Sequence, residues 1–236
     1  MNDGLDFLCV GAHADDVELG MGGTVAKLSR LGRRGAILDV SDASMGTRGT
    51  PAERLSEARE AARILGVERH NLGFRDGFLD SRDTGLRDRF AEFMREHRPR
   101  VVFTHPGHDR HPDHEQVCQL VRSAGFLAGL AKYPLEGRPF RPSRIFHWMG
   151  ARDADPDFCV DVSQDWEVRR KAIEAYVSQF GQEGPATPIS GASFRELLES
   201  RGRFLGSRIR VRHAEGFVCD ELPEVADPCA LASAEF

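Results

Sequence analysis

The sequence predicts the α/β class: a mostly parallel sheet flanked by helices in three layers. Three observations point there. Short apolar runs recur along the first half, each is followed by apolar residues at helical spacing, and 236 residues with 40% apolar content suffice to bury a core between layers. Residues 5–11 are the first buried strand, and residues 20–31, with Met21, Val25, Leu28 and Leu31 near helical spacing, the first helix. Residues 36–40 follow as a strand. Thr50-Pro51-Ala52-Glu53 combines an N-cap threonine, a first-turn proline and a glutamate three positions after the cap, so a helix starts there and runs to Leu65, where Gly66 ends it. A weak strand near Asn71, a helix over 86–97, the strand 101–104 and a helix over 113–131 continue the alternation, which implies parallel strands joined by helical crossovers. Beyond Lys132 the pattern loosens. Residues 133–143 form a connection rich in proline and charge, 145–149 and 158–162 read as strands, and 166–180 as one helix. A loop over 181–190, a helix over 194–204 and a strand pair through Val211 and Phe217 complete the chain, with a mobile tail expected after Val225. No repeat or linker divides it, so residues 1–236 are expected to form one domain with a Rossmann-like fold.

Charge narrows the function. The 32 basic and 37 acidic residues are interspersed and give a net charge of −5, so no basic arm or stripe points to nucleic acid or an anionic membrane. The N-terminus lacks a basic start, and its apolar run over 7–12 is too short for a signal peptide or a membrane span; the expected location is cytoplasmic. Cys9, Cys118, Cys159, Cys219 and Cys229 are odd in number and contain no C-x-x-C pair. Neither a disulfide framework nor a thiolate metal site is expected, and they read as small buried hydrophobes in a reducing compartment.

Two clusters carry the chemistry: His13-Ala14-Asp15-Asp16-Val17-Glu18 and His111-Pro112-Asp113-His114. Both follow the ends of predicted strands, at the carboxyl edge where open α/β sheets bind ligands, so segments nearly a hundred residues apart can meet. Of Asp15 and Asp16, one can bind metal while the other faces the attacking water; of His111 and His114, one can ligate while the other reaches substrate. Imidazole and carboxylate donors with an open position are the catalytic metal pattern, and they point to a metal-dependent hydrolase. His105 and His108 are read as further polar lining, and His70, His97 and His147 as surface or capping residues. Glu18 either orients the first loop or starts the following helix, and Asp113 either supports the site or caps its helix. Rival readings are weaker. Gly20-Met21-Gly22-Gly23 does not match the dinucleotide fingerprint G-x-G-x-x-G, and Asp15, Asp16 and Glu18 would repel a pyrophosphate. A metal-dependent phosphohydrolase would use paired metals where one triad is apparent, and a non-catalytic metal scaffold would not need the spare acid and imidazole.

The segments Gly11-Ala12-His13-Ala14-Asp15-Asp16-Val17-Glu18, Gly46-Thr47-Arg48-Gly49-Thr50 and Arg110-His111-Pro112-Asp113-His114 resemble the LmbE/PIG-L family of zinc-dependent N-deacetylases. The similarity extends to Arg54, Asp76-Gly77 and Ala214-Glu215-Gly216-Phe217, and is strongest toward the N-acetylglucosaminyl-malate deacetylases of bacillithiol biosynthesis. One departure is Ala14, where the family has proline; that loss bears on the stiffness of the turn and removes no ligand. The resemblance implies that His13, Asp16 and His114 hold one zinc, or ferrous iron, per subunit. Asp15 is then the general base and later the acid for the leaving amine, and His111, protonated and oriented by Asp113, stabilises the oxyanion. Arg54 and Arg110 are the implied substrate contacts, Arg110 for a carboxylate and Arg54 for sugar hydroxyls or a carboxylate. The implied substrate is a small N-acetylated amino sugar. A broader amidase acting on thiol S-conjugates or other acetylated sugars is the alternative, and a homo-oligomer, trimer or hexamer, is the implied assembly.

Overall fold

The computed structural model describes residues 4–150 and 155–231. One seven-stranded sheet organises them, in the order β3-β2-β1-β4-β5-β7-β6. Its strands are β1 (Phe7–Gly11), β2 (Gly35–Ser41), β3 (Glu68–Phe74), β4 (Val101–Thr104), β5 (Arg144–Trp148), β6 (Phe158–Asp161) and β7 (Ala214–Cys219). The first five of these run parallel, and β7 is antiparallel to both neighbours, so the expected mostly parallel sheet is present. Helices α1 (Asp16–Arg30), α2 (Pro51–Leu65), α3 (Thr84–His97), α4 (Pro112–Ala128), α5 (Trp166–Glu174), α6 (Val177–Phe180) and α7 (Ala192–Arg208) complete the fold. Alternation along β1 explains the layers: Leu8 and Val10 point into a core built with Phe90, Met94 and Val117 of α3 and α4, while Phe7 and Cys9 point into one built with Val17, Val25 and Ala61 of α1 and α2.

Local chemistry accounts for the boundaries. Thr50 caps α2 with the reciprocal box: its hydroxyl accepts the Glu53 amide at 3.2 Å, and the Glu53 carboxylate accepts the Thr50 amide at 2.7 Å. Gly66 closes that helix at φ 74°, a conformation a side chain would resist. Three expectations are corrected. The first helix begins at Asp16 rather than Gly20 and is broken at Met21 (φ −153°), because its two halves are capped by different side chains. The helix expected over 166–180 is two helices, since Tyr176 leaves helical geometry to bury its ring and bond the Glu18 carboxylate. Val211 lies in a turn, so β7 stands alone where a strand pair was expected. The tail carries a 3₁₀ turn at Pro228–Leu231. Among the cysteines, Cys9 and Cys118 are buried as expected, whereas Cys229 is exposed and Cys159 and Cys219 are partly so. No described helix is long and apolar enough to cross a membrane.

Candidate active site

Strand order reverses between β1 and β4, and the two His/Asp clusters leave the carboxyl ends of these two strands. That reversal opens a crevice which both loops enter. Asp16 sits at its centre. Its carboxylate accepts the His13 backbone amide at 2.7 Å and lies 3.2 Å from His114 Nε2, 3.2 Å from His105 Nε2 and 3.4 Å from His13 Nδ1. Burial alone would protonate it, but His114 outweighs that and holds the carboxyl well below its usual range. On the other side, His13 Nε2 is 3.0 Å from Asp76 and 3.4 Å from Asp113, whose carboxylate also accepts the Gly77 amide at 2.8 Å. His114 Nδ1 lies 3.2 Å from Asp109.

These surroundings test the donor set. Burial opposes charge on His13, yet Asp113, Asp16 and Asp76 outweigh it and hold the imidazole well above its ordinary value; on His114, Asp16 and Asp109 likewise outweigh burial and push it up to about 9. The carboxylates thus favour positive charge here, as a bound cation would supply. Ligand atoms of Asp16, His105 and His114 lie within 4.8 Å of one another, as do those of His13, His111 and His114. Two ligands on a tetrahedral zinc at about 2.0–2.1 Å are roughly 3.3–3.4 Å apart. Asp16 stands 3.2 Å from His114 through Oδ1 and 3.4 Å from His13 through Oδ2, spacings of that order, and His13, Asp76 and Asp113 form a third group of donors within 4.8 Å of one another. His105, buried and pushed down to about 4 by burial and by His114, is a neutral neighbour whose Nε2 accepts the Ala12 amide at 3.0 Å.

Asp15 is buried beside this group with φ 101°, a left-handed conformation uncommon outside glycine and concentrated at functional turns. Burial pushes its carboxyl up to about 7, against the pull of Arg54. The strained turn aims Asp15 and Asp16 differently, Asp15 toward Arg54 Nη2 at 3.1 Å and Asp16 toward the histidines.

Several expectations need correction. Arg54 is buried, and its Nη2 bonds Asp15 and the Ala14 carbonyl, so its first partner is the candidate base rather than an open substrate subsite. His111, not Asp113, caps α4: its Nδ1 accepts the Asp113 amide at 3.3 Å. With Nδ1 accepting that amide, Nε2 is the ring's remaining donor position; burial, His13 and His114 all lower the His111 pKa, and the Asp113 carboxylate lies 3.4 Å from His13 Nε2. His147 is buried, with Nδ1 2.7 Å from the His105 carbonyl. Glu18 is fully buried against Arg69 and Tyr176. Arg110 is exposed on the rim of a cleft of about 500 Å³, together with Asp16, His114, Trp148 and Arg201. Asp109 escaped the sequence reading, His105 was read only as polar lining, and Asp76 entered only through the family resemblance, without a role. The density of histidine and aspartate over 105–114 was the available signal for Asp109 and His105.

The family model described as PIG-L, GlcNAc-PI de-N-acetylase, matches residues 8–125. The chain belongs to the PIG-L family of N-deacetylases. A diacetylchitobiose deacetylase of Thermococcus kodakarensis is 32% identical over 206 residues, covering 77% of this deacetylase and 73% of the relative. A probable N-acetyl-alpha-D-glucosaminyl L-malate deacetylase 2 of Bacillus cereus is 25% identical over 194 residues, covering 73% and 82%. In structure, the deacetylase superposes on the conserved protein TT1542 from Thermus thermophilus with a TM-score of 0.88 and 41% identity, over 98% of this chain and 100% of that one.

Proposed function

We propose that the enzyme removes the acetyl group from N-acetylglucosaminyl-malate, as a bacillithiol-pathway deacetylase would, with zinc held by His13, Asp16 and His114 and residues 1–236 acting as a single domain. The observation that carries the substrate reading is the cleft, where Arg110 and Arg201 line the space beside Asp16 and His114 and favour a substrate with a carboxylate. Bound zinc would supply Lewis-acid polarisation of the scissile carbonyl and of water. The chain's own residues do the rest. Asp15, whose carboxyl is pushed up to about 7, is matched to take a proton from the attacking water near neutrality and return it to the departing amine. His111 donates from Nε2 to the developing oxyanion, its ring held by the Asp113 amide on Nδ1. Arg54 fixes the Asp15 carboxylate through Nη2.

Acetate release from N-acetylglucosaminyl-malate, diacetylchitobiose, free N-acetylglucosamine and a thiol S-conjugate tests the reading. Preference for the malate glycoside is expected, and equal turnover of diacetylchitobiose would replace it with a broader sugar deacetylase. Asp15→Asn should retain zinc and lose about 10²–10⁴-fold in kcat. Wild-type turnover in that variant would remove Asp15 from the base role.

A further inference from the structure

The glycine-rich run Gly20-Met21-Gly22-Gly23 has no part in the chemistry above, yet it marks the break in α1. A helix break leaves carbonyls on one side and amides on the other without partners, and both sets are buried here. Two side chains from distant elements take them. Arg169 of α5 donates from Nε to the Glu18 carbonyl at 3.1 Å and from Nη2 to the Leu19 carbonyl at 2.5 Å. Glu215 of β7 accepts the Gly23 amide at 2.9 Å and the Thr24 amide at 2.6 Å. The two side chains, 6% and 4% exposed, also pair with each other at 3.3 Å. The glycines make room: a Cβ on Gly20 would lie 2.5 Å from the Trp148 ring, and one on Gly23 would lie 2.9 Å from Val162 and 3.0 Å from Glu215.

The splinted half-helix is short and carries the site. It begins at Asp16, includes Glu18, and places Leu19 and Gly20 on the cleft wall. Asp15, immediately before it, is tied by its carbonyl to the Leu19 amide at 3.0 Å. We propose that Arg169 and Glu215 are positioning residues: by capping both sides of the break they fix the orientation of the turn that presents Asp15 and Asp16. This rests on the reading of Asp16 as a metal ligand.

The test measures Zn²⁺ affinity by chelator competition, and the visible spectrum of the Co²⁺-loaded protein, in Glu215→Gln, Arg169→Lys, Asp16→Asn and Arg95→Met. Arg95 is a buried control remote from α1, bonding the carbonyls of Ala128, Leu130 and Leu135. Glu215→Gln and Arg169→Lys should melt cooperatively, bind Zn²⁺ about 10-fold or more weakly and shift the Co²⁺ spectrum. Arg95→Met should lower the melting temperature and leave both metal readouts unchanged. Wild-type Zn²⁺ affinity in folded Glu215→Gln, or an equal loss in Arg95→Met, overturns the inference. Failure of both Glu215→Gln and Arg169→Lys to fold also overturns it, since the pair would then determine the fold rather than position the site. Unchanged affinity in Asp16→Asn would instead overturn the ligand assignment itself.

Discussion

Arg69→Met should lower the melting temperature by about 10 °C, and the structure supplies the reason. The Arg69 guanidinium is bidentate to Asp39, with Nε and Nη2 each at 2.8 Å, and its Nη1 lies 2.5 Å from Glu18, which also accepts the Tyr176 hydroxyl at 3.0 Å. Its side chain is 4% exposed and both carboxylates are 0% exposed. Methionine fills similar space but leaves two buried acids without a cation, and breaking one buried pair costs about 3–5 kcal/mol. Two stranded carboxylates place the loss at the upper end, about 5 kcal/mol. An unfolding entropy of about 2 cal/mol/K per residue over 236 residues is about 0.5 kcal/mol/K, which converts that loss into about 10 °C. Scanning calorimetry of wild type and variant at pH 7 measures it, with Arg63→Ala as a control. Arg63 pairs with Glu60 in the open, 72% and 47% exposed, so its loss should hardly register. A drop for Arg69→Met no larger than for Arg63→Ala would refute the claim that this network sustains the folded state behind the catalytic turn.

Asp109→Asn should weaken zinc binding about 10- to 100-fold while the protein stays folded, because Asp109 holds the Nδ1 side of His114; chelator competition reads it, and unchanged affinity would leave Asp109 without that role. Glu199 gives a pH signature. Burial raises its carboxyl, but His213, Arg203 and the Trp166 N–H outweigh that and pull it from 4.5 to about 2. A carboxyl lowered on folding stabilises above its ordinary value and loses that contribution as pH falls toward the folded one. The stability difference between wild type and Glu199→Gln should therefore be full above pH 4.5 and close toward pH 2. A difference constant across that window in thermal melts would count against the assignment.

What the sequence determined by itself is what local periodicity and short spacing encode. Alternating strands and helices, the α2 capping box and the placement of His13 and His114 beyond two strand ends follow from residues within a few positions of one another. The candidate ligands and base were legible for the same reason, since their donor types cluster within single turns. Tertiary structure alone decided how these groups are charged and held. Asp76 meets His13 across 63 residues, Arg69 meets Glu18 across 51, and Glu215 reaches the break in α1 across 192. No periodicity records such pairings. The inward turn of Arg54 and the lowered pKa of His111 arise from burial and from neighbours that only the assembled sheet edge brings together.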